Sequence, residues 1–272
     1  MCVDLHIHTT ASDGLLSPQQ VVGQAVDLGL RAIAITDHDI IDGCSPAITV
    51  AGEKLEVIPG IEINTEWKNK EVHVLGYFID LEDQQFLQTL KELRQARLNR
   101  IGKIVRKLRQ LGLNIELSRV LELAGAGTIG RPHIAIAMIE QGYVETIQEA
   151  FTNYIGYGAP AYVPRYKLSP SEAVEIIRRA KGIPVLAHPG LIGSDELIPD
   201  LVKIGLQGLE VFYPEHDPEQ TEHYLRLARY YNLAVTGGSD FHGNSSDYRG
   251  ELGGLKIDYS VVEKLRALKT GL

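Results

Sequence analysis

Val3-Asp4-Leu5-His6-Ile7-His8 alternates apolar and polar residues, a period of two that reads as a strand with Asp4, His6 and His8 on one face. Ser17-Pro18-Gln19-Gln20 then supplies an N-cap, a proline at the first helical position and a glutamine placed to close a capping box. A helix starts there and ends near Gly29. Leu30-Arg31-Ala32-Ile33-Ala34-Ile35-Thr36 follows as a buried strand that runs into Asp37-His38-Asp39. This order of strand, polar loop, helix and strand sets the fold class, because alternating βα units build a parallel sheet.

The rhythm recurs. Strand-like runs lie near residues 56–63, 71–79, 183–187, 208–213 and 233–236, and Asp217-Pro218-Glu219-Gln220 repeats the proline-first capping box. About seven such units in 272 residues point to a barrel more than to an open sheet, although the pattern alone fits either. Between residues 83 and 161 the rhythm stops and the sequence reads as helical, with turns around Gly112, residues 125–127 and residues 156–158. The expected organisation is a barrel made of residues 1–82 and 162–272, with residues 83–161 inserted as a helical subdomain covering the active site. In its first helix, Leu87, Leu90, Leu93, Leu98, Ile101, Ile104, Val105, Leu108 and Leu111 fall within an arc of about 140°, which predicts one buried side. The cations Lys91, Arg94, Arg97, Arg100, Lys103, Arg106 and Arg109 recur every three residues and wind around the helix, with Arg94 and Arg97 on the apolar arc.

Composition narrows the class of protein. With 44% hydrophobic and 23% charged residues and no run of 18 apolar residues, the chain reads as a soluble globular protein with no membrane span. A net charge of −8, from 27 basic and 35 acidic residues, argues against a surface built for long DNA, while the basic helix still suits a short oligonucleotide. Cys2 and Cys44 are too few and wrongly spaced for a disulfide framework or a thiolate zinc site. Met1-Cys2-Val3-Asp4 runs straight into the first strand with no secretory pattern, so the cytoplasm is the expected location.

The histidines carry the chemistry. His6 and His8 share a strand face, Asp13 follows in the next loop, His38 ends the second strand, Glu62 sits in Pro59-Gly60-Ile61-Glu62, and His73 sits in Val72-His73-Val74. Much later come His188 in Ala187-His188-Pro189, and Asp240 and His242 in Gly238-Ser239-Asp240-Phe241-His242. Nearly all lie at or near the C-terminal ends of predicted strands, where βα barrels place their active sites. Six imidazoles and three carboxylates suit divalent Mn, Zn or Fe. Nine donors exceed the needs of one ion, so two or three ions are expected, with Glu62 bridging.

The run from Asp4 to Gly14, together with Thr36-Asp37-His38, Gly60-Ile61-Glu62, Ala187-His188-Pro189 and Ser239-Asp240-Phe241-His242, resembles the PHP (polymerase and histidinol phosphatase) superfamily. That resemblance covers about residues 1–82 and 162–260. It implies a distorted seven-stranded, TIM-like βα barrel with a multinuclear metal site. The helical insertion and Gly130-Arg131-Pro132-His133 are most similar to the subgroup of ribonuclease AM and the 3′,5′-nucleoside bisphosphate phosphatases.

Charge points to a phosphoester. Three divalent ions against Asp13, Glu62 and Asp240 leave +3, which a hydroxide and a dianionic phosphate neutralise, whereas an amide would not. The expected reaction is in-line attack on phosphorus by a hydroxide shared between two ions. His216, Asp13 and His188 are the candidate catalytic side chains, with His216, in Tyr213-Pro214-Glu215-His216, the candidate acid for the leaving oxygen. Arg131 and His133 flank a proline that opens a helix, which gives either an anion pocket for a second phosphate or a plain capped helix; Arg97 and Arg165 are weaker phosphate candidates. Asp4, Asp37 and Asp39 either orient imidazoles or cap turns, and Trp67, Tyr154, Tyr157 and Tyr162 either stack on a base or pack.

The expected substrate is a small nucleotide, such as a 3′,5′-nucleoside bisphosphate, or the 5′ end of a short RNA. A histidinol phosphate-type or other small-monoester phosphatase and a non-catalytic, metal-stabilised RNA-binding module are the alternatives. An amidohydrolase-type reaction is less favoured, because no lysine stands in the motif positions to form a carbamylated bridge.

Overall fold

Capping residues start helices where the sequence places them. In the computed structural model, which describes residues 2–125, 127, 129–164, 168–243 and 250–270, the chain begins with β1 (Cys2–Ile7), α1 (Pro18–Asp27), β2 (Ala32–Ile35), α2 (Cys44–Ala51), β3 (Glu56–Trp67) and β4 (Lys70–Tyr77). Next come α3 (Gln84–Gln110), α4 (Leu117–Ala124), α5 (Arg131–Glu140) and α6 (Ile147–Ala150), the last continued by a π-helical turn (Phe151–Ile155). The rest runs α7 (Pro170–Arg179), β5 (Ile183–Leu186), α8 (Pro189–Ile192), α9 (Ile198–Lys203), β6 (Gly208–Phe212), α10 (Pro218–Tyr230), β7 (Ala234–Gly237), β8 (Ile257–Asp258) and α11 (Ser260–Thr270). Ser17, Ser169 and Asp217 each accept the backbone N–H three residues on, while their own N–H donates to the Gln or Glu side chain there. Complete capping boxes with proline first therefore open α1, α7 and α10.

The chain divides into two compact units, one made of Met1–Leu87 and Leu168–Leu272, the other of Gln88–Lys167. The first is a mixed α/β unit around a sheet ordered β7-β6-β5-β4-β3-β2-β1-β8. Beyond β7 the chain bridges back to β1: His8 N–H donates to Phe241 O at 2.8 Å and Phe241 N–H to His6 O at 3.3 Å. The sheet is thereby barrel-shaped and nearly closed.

Two features differ from a seven-stranded, all-parallel expectation. Among the described residues the sheet has eight strands, because the two-residue β8 pairs antiparallel with Cys2 and Val3 of β1. So short a strand has no periodicity to read. The second difference is β4, which runs antiparallel to both β3 and β5. Only Lys68 and Asn69 separate β3 from β4, and both have positive φ, 48° and 63°, as a type I′ hairpin turn requires. A parallel return needs a dozen or more residues, so this link can only make a hairpin.

Residues in β2 and β5 are buried on both faces, which explains their continuous apolar character, while β1, buried apart from the half-exposed Cys2, keeps its alternation because Asp4 and His6 serve the site. Val3, Leu5, Leu75, Tyr77 and Val185 form the barrel core with Val262 and Leu265 of α11. Each such aliphatic side chain contributes roughly 1.5–3 kcal/mol on burial. The buried Tyr77 hydroxyl is satisfied by donating to Leu5 O at 2.9 Å.

In the second unit, Ile101, Ile104, Val105 and Leu108 of α3 pack with Val120, Ile134 and Met138. The apolar arc thus holds over residues 101–108. Leu111, one residue past the helix end, is 48% exposed, and Arg94 is exposed as well, so neither lies on the buried side. No helix among the described residues is long and apolar enough to cross a membrane.

Candidate metal centre

The loops that leave the sheet are tied together by buried carboxylates. Asp37 accepts hydrogen bonds from Thr9 N at 2.7 Å, Thr9 Oγ1 at 2.8 Å and Ser12 Oγ at 2.6 Å, which fixes the chain after His8. Asp4 accepts from Ser239 N at 2.9 Å, Ser239 Oγ at 2.6 Å and Gly253 N at 2.9 Å, fixing the loop before Asp240. Asp39 accepts from Asn64 N and Nδ2 at 2.9 and 3.0 Å. Of the two roles open to these aspartates, the bonds described here fasten loops. Gly238 lets this loop pass against β1, since an added Cβ would overlap the backbone N and Cβ of His6. Asp39, His188 and Asp240 adopt positive φ of 56°, 27° and 52°. Such backbone costs roughly 1–3 kcal/mol per residue and persists only where neighbours over-determine it.

These loops bring all nine candidate ligands to one end of the sheet. His6 is the next-to-last residue of β1, with His8 and Asp13 just beyond; His38 follows β2, Glu62 lies within β3, His188 follows β5, and Asp240 and His242 follow β7. His73 is the exception to the strand-end rule. It lies in the first half of β4, opposite Asn64, and reaches the same mouth because β4 runs the other way.

The donors form three overlapping groups: His8, Asp13, His38 and His242; His6, His8, Glu62 and Asp240; and His38, Glu62 and His73. Within each, the ligand atoms lie within 4.8 Å of one another. Glu62 sits among five imidazoles. Its Oε1 is 2.8 Å from His73 Nδ1, 3.2 Å from His188 Nε2 and 3.4 Å from His6 Nε2, and its Oε2 is 2.8 Å from His38 Nδ1 and 3.2 Å from His8 Nε2. Asp240 Oδ1 lies 3.1 Å from His8 Nε2, and Asp13 Oδ1 lies 3.2 Å from His242 Nε2.

The residues fit a group of cations. Among the described residues, His6 Nε2, His8 Nε2, His73 Nε2, His188 Nδ1, His242 Nε2 and Glu62 Oε2 are buried without a hydrogen-bond partner. So many unsatisfied buried atoms would be costly unless something accepts their lone pairs, and those of His6, His8 and Glu62 meet within one donor group. The electrostatics agree. Burial opposes a charge on His8, but the adjacent carboxylates of Asp240 and Glu62 outweigh it and carry its pKa up to about 9. Burial likewise opposes charge on His73, and Glu62 and Glu71 still push it up to about 10. Against the same desolvation, neighbouring imidazoles hold Glu62 and Asp13 well below the ordinary carboxylate range and lower Asp240. Burial dominates at His242, which falls to about 4. The pocket thus stabilises positive charge close to its carboxylates.

Two residues at the site escaped the sequence reading. Glu210, wholly buried in β6, accepts from His6 Nδ1 at 2.9 Å and from His188 N at 2.8 Å, which leaves His6 Nε2 facing the cage. Tyr213 donates its hydroxyl to Asp240 Oδ2 at 3.1 Å, and its ring lies 5.2 Å from that of His188. A glutamate inside the apolar run Gly208-Leu209-Glu210-Val211-Phe212 was the available signal for the first. His242 sets its own tautomer by donating from Nδ1 to Asp240 O at 2.8 Å.

His216 is placed beside the site but committed to backbone. Its Nδ1 donates to Val211 O at 2.9 Å, and its Nε2 accepts from Gly190 N at 3.1 Å, with burial lowering its pKa. A proton carried on Nε2 would cost the Gly190 bond. This geometry suits a latch on the turn after His188 better than the acid expected from the sequence.

In the helical unit, His133 Nδ1 accepts from Gly130 N at 3.0 Å at the start of α5, while Arg131 Nη1 donates to Ile155 O at 3.4 Å and its guanidinium lies 5.0 Å from the centre of the Phe151 ring. Arg97 is half-buried on α3. Arg165 lies outside the described residues.

A nearly closed α/β sheet with a histidine- and carboxylate-lined mouth defines a class, the metal-dependent phosphoesterases. A crystal structure of a Bifidobacterium adolescentis protein described as a metal-dependent phosphoesterase shares this fold, with a TM-score of 0.85 and 34% identity over 97% of this chain and 95% of that one. The chain belongs to the PHP domain family, whose match spans residues 4–150. It is similar to the 5′-3′ exoribonuclease Rnm of Escherichia coli (strain K12), with 33% identity over 247 residues, 88% of this chain and 84% of that protein. It is also similar to the 3′,5′-nucleoside bisphosphate phosphatase of Chromobacterium violaceum, with 30% identity over 254 residues, 88% of this chain and 87% of that protein. Those names fit the subgroup indicated by the motifs, and the chain is an enzyme of this hydrolase class.

Proposed function

We propose that the chain hydrolyses a phosphoester of a small nucleotide, such as a 3′,5′-nucleoside bisphosphate, or the 5′-terminal phosphoester of a short RNA. The observation that carries this reading is the set of three overlapping donor groups, linked through His8, His38 and Glu62. His6, His8, Asp13, His38, Glu62, His73, His188, Asp240 and His242 would hold two or three divalent ions, Mn, Zn or Fe. Such ions supply Lewis acidity toward phosphoryl oxygens and acidify water.

The chain's own residues prepare that chemistry. Glu62, touching five imidazoles, is the natural shared ligand between groups. Glu210 holds the proton of His6 on Nδ1 so that Nε2 presents its lone pair, and Tyr213 turns Asp240 by donating to its second oxygen. Asp13, 3.2 Å from His242 Nε2, and His188, 3.2 Å from Glu62 Oε1, are the side chains assigned to the reacting phosphate on this reading. His216 acts by positioning the His188 turn.

Two relatives favour the nucleotide reading, since one is named for a nucleoside bisphosphate and the other for RNA. The test is product release from 3′,5′-bisphosphates, nucleoside monophosphates, histidinol phosphate and 5′-phosphorylated oligoribonucleotides, compared side by side after chelation and Mn²⁺ re-addition. Metal-restored turnover of the bisphosphate or the oligoribonucleotide is expected. Turnover of histidinol phosphate alone would replace this reading with the small-monoester one, and no turnover of any substrate would sink it.

A further inference from the structure

The two units carry opposite charge. Residues 88–167 hold twelve Lys and Arg against six Asp and Glu, a net +6, while the other residues hold 15 basic against 29 acidic side chains, a net −14. The −8 of the whole chain therefore hides a strongly basic helical unit. Charge asymmetry of this kind favours a polyanionic partner for the basic part.

Within that unit the cations are arranged. Lys103, Arg106, Lys107 and Gln110 stand at i, i+3, i+4 and i+7 on α3, and all four are exposed on one face. They form one wall of an open groove of about 360 Å³, whose other wall is Tyr162-Val163-Pro164. Hydrogen bonds from Arg100 Nε to Val163 O at 2.8 Å and from Lys107 Nζ to Tyr162 O at 2.7 Å pin that second wall to the helix. Among the described residues, no acidic side chain lines the groove. Tyr157 meets the Tyr162 ring edge-on, with centroids 5.4 Å apart, and is itself 75% exposed.

We infer that this groove binds the backbone of a single-stranded polynucleotide, which is RNA on the reading of the enzyme given above. Cations a helical turn apart can each meet a phosphate of the strand, and adjacent tyrosine faces offer stacking platforms for unpaired bases. A duplex keeps its base faces stacked internally and has no use for the tyrosines. An acidic protein segment would likewise leave them idle.

The test measures binding of 3′-labelled, 5′-hydroxyl phosphorothioate U12 RNA by fluorescence anisotropy from 50 to 300 mM salt. Wild type is compared with Lys103→Ala/Arg106→Ala and with Tyr162→Ala. Two lost phosphate contacts lower the slope of log Kd against log salt by about 1.4, since each contact on a single strand contributes about 0.7. At 0.1 M salt that slope corresponds to roughly 25-fold weaker binding. Tyr162→Ala is expected to weaken binding at every salt concentration without changing the slope. Turnover of a mononucleotide 3′,5′-bisphosphate and the melting temperature should stay at wild-type values in the double variant. An unchanged Kd or slope in the double variant overturns the proposal, as does inorganic polyphosphate, duplex RNA or phosphorothioate dT12 binding more tightly than the RNA. Failure of the enzymatic reading is separately visible as absent wild-type turnover alongside intact RNA binding.

Discussion

Replacing Glu210 with glutamine should weaken metal binding without unfolding the barrel. Glu210 accepts from His6 Nδ1 at 2.9 Å and from His188 N at 2.8 Å, and no part of its side chain is exposed. Glutamine has the same shape but only one acceptor oxygen. If that oxygen takes the His188 N–H, the amide NH₂ faces His6 Nδ1 and drives the imidazole proton onto Nε2. That atom lies 3.4 Å from both Glu62 Oε1 and Asp240 Oδ1, at the centre of the donor set. If the amide turns the other way, its NH₂ opposes the His188 N–H. Either way one hydrogen bond to a charged group is lost, about 1.5–3 kcal/mol. This corresponds to roughly a 10- to 100-fold loss of metal affinity, the range typical for partners that orient metal-binding histidines. Calorimetric titration of chelator-stripped protein with Mn²⁺ reads the affinity directly, and turnover at saturating Mn²⁺ should recover most of the wild-type rate. An affinity for Glu210→Gln within twofold of wild type would refute the argument that Glu210 sets the His6 tautomer.

Further outcomes follow from the same geometry. Glu62→Ala should abolish turnover and destabilise the metal-free fold by about 3–5 kcal/mol, because it strips the counter-charge from buried imidazoles; urea unfolding near wild-type midpoint would contradict this. Gly238→Ala should cost about 1–3 kcal/mol through overlap with His6 and lower metal affinity, both readable by melting with and without Mn²⁺. His216→Ala should reduce turnover by loosening the His188 turn yet leave the alkaline limb of the pH–rate profile in place; loss of that limb would restore a proton-donor role. In metal-free protein, His8 and His73 are raised above the unfolded value of 6.5 to about 9 and about 10. Their stabilisation is complete below pH 6.5 and lost as pH rises through those values, so the melting temperature should fall across that window and metal uptake at pH 7 should release protons. A melting temperature that is flat in pH, with no proton release in weak buffer, would show those imidazoles to be neutral.

The sequence determined by itself which residues carry chemistry and where most elements begin. Period-two alternation placed His6 and His8 on one face, capping boxes with proline fixed the starts of α1 and α10, and motif order identified the family. These are local signals, written in residues a few positions apart. What lay beyond them needed three dimensions. A two-residue turn reversed β4 and brought His73 to the mouth, β8 was too short to show a period, and Glu210 gained its meaning only when the curved sheet brought its side chain to His6 of β1 and to the His188 backbone after β5. His216, legible as a histidine in a loop, was given its partners by backbone atoms at residues 190 and 211. Tertiary structure alone decided these, because hydrogen-bond partners separated by up to two hundred residues leave no trace in the periodicity of either segment.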